Sequence, residues 1–327
     1  MSTDDASLIS SDLANGFKIV GKRRYMTSGN KRYLLPNDDE EIGRLDYQHY
    51  VMRLVAFGGL KEISPSKDTD ARFSRNSYHP FALKNFRALI HGNFQSPIEE
   101  RLEAGIRVLD LGTGTGIWSI EMAVEYPAST FVGTDVATVF PTHDQIPKNC
   151  SFVQANTLQL PFEDASFDFV YQRFMGLAFS PSEWKIAMKE IVRVLKPGGW
   201  IEIAEGNFKM ERPPAAYEMV YSAVTAMTLA RGLDIHLPGG CEGLLVDTGV
   251  IVDITADYIS VPMGWHGRLG EICIQSFGES LAALSSVVMP VLGVDVKEYE
   301  EMVREILIGF REKRTWSKAP YAFGMKR

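Results

Sequence analysis

Three glycines at alternate positions follow an aspartate in the segment Asp110-Leu-Gly-Thr-Gly-Thr-Gly116. A compact apolar run, 106–111, precedes them and a helical pattern follows. Glycines in such a strand-to-helix turn let the backbone approach a ligand closely. Their spacing is G-x-G-x-G, whereas a dinucleotide site requires G-x-G-x-x-G, and Ile117 fills the last place. Asp110 would repel a pyrophosphate, and it suits instead a ligand that carries an ammonium and a sulfonium group.

A second carboxylate, Asp135, stands at the end of the next apolar run. At that position in a nucleotide-binding sheet, a carboxylate accepts hydrogen bonds from both ribose hydroxyls. NAD sites and adenosylmethionine sites share this feature, so Asp135 alone does not separate them. Each of these residues could by itself be a turn glycine or a cap aspartate, but the ordered set predicts a nucleoside-containing ligand.

The elements around this turn alternate between short apolar runs and helical patterns. Strands are predicted at 106–111, 130–134, 151–154, 167–172 and 200–204, and helices at 117–126 and 182–195. This alternation predicts βαβ units and a parallel sheet with helices on both faces. Outside this region the patterns predict helices at 40–60, after Pro80, and at 215–231, 269–289 and 296–313, with strands at 251–261 and 321–325.

Four segments resemble the ordered motifs of class I S-adenosylmethionine-dependent methyltransferases: Val108–Trp118, Val132–Asp135, Leu160–Asp168 and Leu195–Glu202. The resemblance covers about residues 105–206. It implies a Rossmann-like α/β fold whose seven-stranded sheet has helices on both faces and an antiparallel last strand. The late strands would complete that sheet. The resemblance also implies S-adenosyl-L-methionine as the cofactor.

The resemblance assigns roles to individual residues. The glycines would pass beneath the amino-acid part of the cofactor, Asp135 would hold the ribose, and Asn156 with Thr157 would flank the adenine. The family usually has Asp where Asn156 stands, but an Asn carbonyl oxygen can also accept a bond from the adenine amino group. The expected cofactor-binding residues are Asp110, Gly112, Thr113, Gly114, Gly116, Trp118, Asp135, Val136, Asn156, Thr157, Gln172 and Arg173.

Two of these residues have alternative interpretations. Trp118 can lie near the sulfonium as a cation–π partner, or it can pack in the core at the start of the helix. Arg173 follows the fourth predicted strand, at the mouth where ligands bind in open α/β sheets. It can pair with an acidic group on the substrate or cofactor, or it can form a salt bridge to the N-terminal arm.

A narrower resemblance lies upstream of the glycines. Arg24-Tyr25, Tyr33–Asp38 and Arg44–His49 resemble the arm that precedes the domain in LaeA-like fungal methyltransferases, and Trp118 is also typical of that group. The resemblance implies that Arg44–His49 forms a lid over the cofactor. We expect four regions: a flexible tail at 1–40, a helical arm or lid at 41–104, the cofactor-binding core at 105–206, and a substrate cap that completes the sheet at 207–327.

Methyl transfer from a sulfonium is an in-line displacement with a good leaving group. Holding the reactants in line and excluding water therefore supplies much of the acceleration, so no catalytic motif is required. An oxygen or nitrogen acceptor can still need a general base. The candidates are His49, His236 and His266, and each can equally be a surface or structural histidine.

The composition narrows the classes of partner. A formal net charge of −7 disfavours nucleic acid as a partner, because phosphate contacts need a basic surface. The three cysteines form no CxxC pair and no cluster with histidine, so neither a metal site nor a disulfide framework is indicated. The N-terminus lacks an apolar signal and no long apolar run is present. We expect a cytoplasmic or nuclear protein without a membrane segment.

The combined expectation is an enzyme that methylates a small molecule, such as a secondary metabolite, most simply at oxygen. The alternative is a LaeA-like regulatory protein that keeps the cofactor site but acts through protein partners. An NAD-dependent oxidoreductase is disfavoured by the glycine spacing.

Overall fold

The computed structural model describes residues 17–20, 23–26, 35–56, 93–141 and 146–327. The helix predicted after Pro80 and the start of the predicted tail lie outside them. Strands β1 (Phe17–Val20) and β2 (Arg23–Met26) form an antiparallel hairpin. The hairpin falls within the region expected to be a flexible tail, and its strands of four residues are too short to show a clear alternation. Helix α1 (Asp39–Ala56) follows, close to the predicted 40–60.

An eight-stranded mixed sheet forms the centre of the protein. Its strands are β3 (Arg107–Leu111), β4 (Thr130–Asp135), β5 (Cys150–Gln154), β6 (Phe167–Arg173), β7 (Leu195–Ala204), β8 (Met210–Glu211), β9 (Ile251–Pro262) and β10 (Trp316–Lys326). The order is β5-β4-β3-β6-β7-β10-β8, and β9 also pairs with β10. Strands β3 to β7 are parallel, while β10 is antiparallel to its neighbours. The predicted sheet is confirmed, with the two-residue β8 as an additional strand.

Helices cover both faces of the parallel strands, which explains why their central residues are apolar on both faces. Leu109 and Leu111 of β3 pack with α4 (Pro181–Val194), whereas Val108 packs on the other face with α2 (Glu99–Ala104) and α3 (Ile117–Glu125). Helix α4 begins at a capping box, in which Ser180 accepts from the Glu183 backbone and Glu183 accepts from Ser180. This reciprocal pair satisfies two backbone donors and sets where the helix starts.

A second layer of helices packs beside the sheet. It consists of α5 (Ala215–Ala230), the short α6 (Cys241–Val246), α7 (Gly267–Leu292) and α8 (Val296–Glu312). Among the described residues, α7 is the one helix long and apolar enough to cross a membrane by length and composition alone. In the structure it packs against α1, α5 and α8, and its buried residues, among them Leu281, Leu284 and Val288, belong to the hydrophobic core there.

Candidate functional site

The turn between β3 and α3 holds its three glycines in the left-handed region. The φ angles of Gly112, Gly114 and Gly116 are 66°, 54° and 77°, which side chains of L-residues rarely adopt. A Cβ atom at Gly112 would overlap the sulfur of Met175, and one at Gly116 would overlap the ring of Phe152. A side chain at either position would therefore displace Met175 or Phe152, in addition to straining the backbone.

Gly114 differs because space remains beside it. A Cβ atom there would have as its nearest described neighbour the Cδ1 atom of Leu45 in α1, at 3.9 Å. The Gly114 N–H donates to Oδ2 of Asp135 at 2.9 Å, and Oδ1 of Asp135 accepts the Ala137 N–H at 2.9 Å. Each carboxylate oxygen retains a further lone pair. This open position beside a carboxylate fits a ligand that lies on the turn and offers hydroxyl donors, as a ribose does.

Asp110 lies buried at the end of β3. Its Oδ2 accepts hydrogen bonds from Oγ1 of Thr113 at 2.6 Å and from Oγ of Ser119 at 2.7 Å. Burial raises the pKa of Asp110 to about 6, although both hydrogen bonds oppose the rise. A nearby cationic group would favour the ionised form, so this carboxyl fits the ammonium of an amino-acid moiety.

Gln172 ends β6 and is fully buried, and neither atom of its amide group has a hydrogen-bond partner among the described residues. A buried polar group without a partner costs about 1–3 kcal/mol. A ligand that offers both a donor and an acceptor would remove that cost. The orphaned amide, the open Gly114 position and the two aspartates thus fit the polar and apolar parts of S-adenosyl-L-methionine.

The residues expected around the adenine lie after β4 and β5. The Val136 carbonyl accepts from Nε2 of Gln154 at 2.9 Å. Asn156 is exposed, and its Oδ1 accepts the Leu158 N–H at 2.9 Å, while Thr157 is buried. One lone pair of the Asn156 oxygen is thus used locally and the other is left for a ligand.

Trp118 packs in the core of the sheet. Its ring stacks on Tyr171 with centroids 4.1 Å apart, its Nε1 donates to the Asn93 carbonyl at 2.8 Å, and it is 2% exposed. This arrangement corresponds to the core-packing alternative. A cation–π contact of Trp118 with the sulfonium stays a prediction.

A buried network of charged side chains ties α1 to the sheet. Nε2 of His49 lies 3.0 Å from Oε2 of Glu121, and Nη1 of Arg53 lies 2.5 Å from the same oxygen. Nη2 of Arg173 lies 2.8 Å from Nδ1 of His49. An arginine can only donate, so Nδ1 accepts and the Nε2–H group donates to Glu121. Arg173 therefore contacts the N-terminal arm, through a histidine.

The charge states of this network follow from its burial. Burial lowers the pKa of His49, so the ring is neutral near pH 7. Burial alone would raise the pKa of Glu121, but the His49 hydrogen bond and the charge of Arg53 lower it. In this geometry His49 positions Arg173 and has no free nitrogen lone pair with which to accept a proton.

The other two histidine candidates are exposed. Nδ1 of His236 lies 3.4 Å from the hydroxyl oxygen of Tyr221, and His266 precedes α7 with a φ of 73°. Arg44, expected in the lid, donates to Glu41 within α1 and to Ser280 of α7. Arg44 thus ties the arm to α7, while Leu45 faces the glycine turn.

A small cavity of about 30 Å³ lies at the carboxyl ends of β6 and β7. Its wall includes Arg173 together with Glu202 and Glu205, two buried carboxyl groups that the sequence analysis did not single out. A usable signal was present, since charged residues at the end of an otherwise buried apolar strand are uncommon. Ligands of open α/β sheets bind at this edge, so the cavity is the natural place for a second substrate.

Comparison with known proteins agrees with this geometry. Residues 108–199 match a family model described as a methyltransferase domain. The matched residues carry the glycine turn and the parallel strands β3 to β6, so this part of the chain is similar to a methyltransferase domain.

The chain is also similar to curated fungal proteins. It is 37% identical over 197 residues to the protein-methionine methyltransferase laeA of Emericella nidulans, covering 60% of this chain and 40% of that protein. It is 27% identical over 206 residues to the methyltransferase pytC of Aspergillus terreus, covering 63% of this chain and 51% of that protein. The chain spans about half or less of the length of these curated relatives.

Solved methyltransferase structures are also similar. One is a Haemonchus contortus phosphoethanolamine N-methyltransferase in complex with phosphomonomethylethanolamine and S-adenosylhomocysteine. It has a TM-score of 0.47 and 18% identity, and covers 77% of this chain and 58% of that one. The [4+2]-cyclase SpnF has a TM-score of 0.46 and 20% identity, and covers 89% and 97% of the two chains.

Proposed function

We propose that this protein transfers a methyl group from S-adenosyl-L-methionine to a hydroxyl oxygen of a small molecule. The observation that carries this proposal is the open position beside Gly114. It is flanked by the carboxylate of Asp135 and covered by Leu45 of α1. Similarity to the methyltransferase pytC supports methyl transfer, and similarity to the secondary metabolism regulator laeA of Aspergillus flavus supports a role in secondary metabolism.

The chain's own residues divide the work of binding. Asp135 holds the ribose hydroxyls, Asp110 faces the ammonium group, and the Gln172 amide satisfies a polar group of the amino-acid moiety. When bound, S-adenosyl-L-methionine supplies an electrophilic methyl group on its sulfonium. Helix α1 then excludes water from that group, which is the chief requirement of such a displacement. We propose 41–104 as the lid, 105–206 as the cofactor-binding core and 207–327 as the cap over the acceptor.

Calorimetry with adenosylhomocysteine and, separately, with NAD tests the cofactor. We expect adenosylhomocysteine to bind and NAD not to bind; binding of NAD alone would refute the proposal. Asp135→Ala should weaken adenosylhomocysteine binding by about 1–3 kcal/mol, the loss expected for hydrogen bonds to a charged group. The matched control is Asp164→Ala, because Asp164 is exposed and pairs with Arg193, before the amino end of β6.

A second candidate is a regulatory protein that acts through protein partners. Its support is the 37% identity over 105 residues to the secondary metabolism regulator laeA of Aspergillus flavus. Methyl transfer to a small molecule by the purified chain, with no partner present, would favour the enzyme. Adenosylhomocysteine binding together with methyl transfer only to a protein partner would favour the regulator.

A further inference from the structure

The cavity at the carboxyl ends of β6 and β7 has aromatic walls. Phe94, Tyr171, Phe174 and Tyr321 line it together with apolar residues from α1, β9 and β10. The enclosed space between these walls is about 30 Å³, room for about one water molecule, so a larger molecule binds here only by parting the walls. Such walls fit a planar, largely apolar molecule.

Three charged side chains reach this cavity, and two of them have fixed partners. The carboxylate of Glu202 accepts the backbone N–H groups of Gln95 and Ser96 and the Ser96 hydroxyl. It therefore anchors the segment that borders the cavity. Arg173 is held by Nδ1 of His49.

Glu205 is different. It is 2% exposed, and its partners are the backbone N–H groups of Met175 at 2.9 Å and of Gly176 at 3.0 Å. Among the described residues no cationic side chain forms an ion pair or a hydrogen bond with it. Each oxygen carries one backbone donor and keeps a further lone pair. Glu205 is thus the carboxylate in this cavity that can accept a hydrogen bond from a bound molecule.

We propose that Glu205 binds the methyl acceptor by accepting a hydrogen bond from its hydroxyl group, and that the acceptor is a planar hydroxyaryl compound. This inference rests on the proposed function and deepens it. It gives the role of general base to a carboxylate instead of one of the three histidines.

The chemical step balances with Glu205 as the proton acceptor. The acceptor oxygen forms a new bond to the methyl carbon while the bond between that carbon and sulfur breaks, and its electron pair stays on sulfur. The hydroxyl proton passes to a Glu205 oxygen. The products are a methyl ether, adenosylhomocysteine and a protonated Glu205, which later releases the proton to solvent.

The ionisation of Glu205 suits this task. Burial raises its pKa to about 8, although the two backbone hydrogen bonds oppose the rise. A general base works best when its pKa lies near the working pH. The titratable and charged groups around it are Glu202 on β7, Tyr171 and Arg173 on β6, Tyr321 on β10, and the Cys241 thiol on α6, whose pKa rises partly through Glu205.

The test uses the full chain and a matched pair of probes, the hydroxycoumarin umbelliferone and its methyl ether herniarin. First, calorimetry with adenosylhomocysteine is run on the wild type and on Glu205→Gln, Glu205→Asp and Glu271→Gln. Glu271 is exposed, pairs with Arg311 and serves as the control. Glutamine keeps an acceptor for one of the two backbone N–H groups but places its own NH2 donors beside the other. Equal adenosylhomocysteine binding by all four proteins, which we expect, therefore checks that the Met175 loop and the cofactor site are undisturbed.

Second, umbelliferone is titrated into each protein saturated with adenosylhomocysteine. Near pH 7 Glu205 is largely protonated, since its pKa is about 8, so Glu205→Gln should weaken umbelliferone binding about threefold to tenfold, as expected for the loss of a neutral hydrogen bond. Herniarin should bind both proteins equally. In methyl transfer from labelled S-adenosyl-L-methionine, the Glu205→Gln rate should fall about 100-fold or more. The pH profile is measured with a simple phenol, which ionises near pH 10 as a tyrosine does, because the umbelliferone hydroxyl ionises close to the pKa of Glu205. The wild-type rate should rise with pH up to about 8, and Glu205→Gln should lose that rise, which a purely structural role would not produce.

Four outcomes overturn the inference. In the first, the wild type binds adenosylhomocysteine but neither umbelliferone nor other planar phenols. In the second, wild type and Glu205→Gln bind umbelliferone equally. In the third and fourth, Glu205→Gln keeps the wild-type pH profile, or Glu205→Asp is as inactive as Glu205→Gln. If Glu205→Gln does not fold, Glu205→Asp is used for the test. We then expect the rise of its rate with pH to be shifted from that of the wild type, and an unshifted rise would contradict the inference. A wild type that binds no adenosylhomocysteine would refute the proposed function itself, and this inference with it.

Discussion

Removal of Glu121 should destabilise the protein strongly, because its carboxylate compensates buried donors on another helix. Side-chain exposures are 8% for Glu121, 1% for His49 and 9% for Arg53. Glu121→Ala would leave the Arg53 charge buried beside an unsatisfied His49 N–H. Removing one partner of a buried ion pair typically costs about 3–5 kcal/mol. We expect a loss of that size in the free energy of unfolding.

Urea denaturation followed by circular dichroism measures this loss. The control is Glu271→Ala, since Glu271 and Arg311 form an exposed pair, with side chains 55% and 44% exposed. Such a pair contributes at most about 1 kcal/mol. The double variant Glu121→Ala/Arg53→Ala should recover part of the loss, because no unpaired buried charge then remains.

The network also joins α1 to the cofactor site, so a second measurement is available. Since Leu45 of α1 faces Gly114, a loosened α1 should weaken adenosylhomocysteine binding in Glu121→Ala more than in Glu271→Ala. A loss of stability below about 1 kcal/mol, the size of a surface pair, would refute the account. Equal costs for Glu121→Ala and Glu271→Ala would also show that the network does not hold α1.

Two further predictions concern the turn and the cavity. Gly116→Ala should lower the free energy of unfolding by about 2–4 kcal/mol, because of the positive φ of this residue and the overlap of a Cβ atom with Phe152. Gly114→Ala should cost less, because its Cβ position is open. Urea denaturation measures both, and equal costs would contradict this. Burial raises the pKa of Glu202 from 4.5 to about 7. The stability that the protonated Glu202 contributes to the folded state is therefore fully present below pH 4.5 and is lost as the pH rises through 7. Relative to Glu202→Gln, the wild type should therefore lose up to about 3 kcal/mol between these pH values, and parallel stability curves for the two proteins would refute the assignment.

The parallel strands and the cofactor turn could be predicted from local patterns. The run ending in Asp110 is apolar because both faces of β3 are covered, and the three glycines are needed wherever the chain adopts a positive φ. These features depend on neighbours along the chain, so the sequence records them directly.

Side-chain pairings between distant segments were decided by the tertiary structure. The sequence does not show whether His49 is a general base or a positioning residue. Its contacts with Glu121 and Arg173 show that both ring nitrogens are engaged in hydrogen bonds. Glu205 similarly shows its role only where β7 meets the loop at Met175 and the cavity.

The sequence by itself determined the kind of sheet and the glycine turn that receives the methyl donor, because both follow from local backbone and burial requirements. The tertiary structure decided which charges are neutralised and how α1 covers the turn. It also decided which carboxyl group beside the cavity can still accept a hydrogen bond. The physical reason is that burial and hydrogen-bond partners are set by segments far apart in the chain. The approach of Leu45 to the Gly114 turn, for example, joins residues about seventy positions apart, 45 and 114.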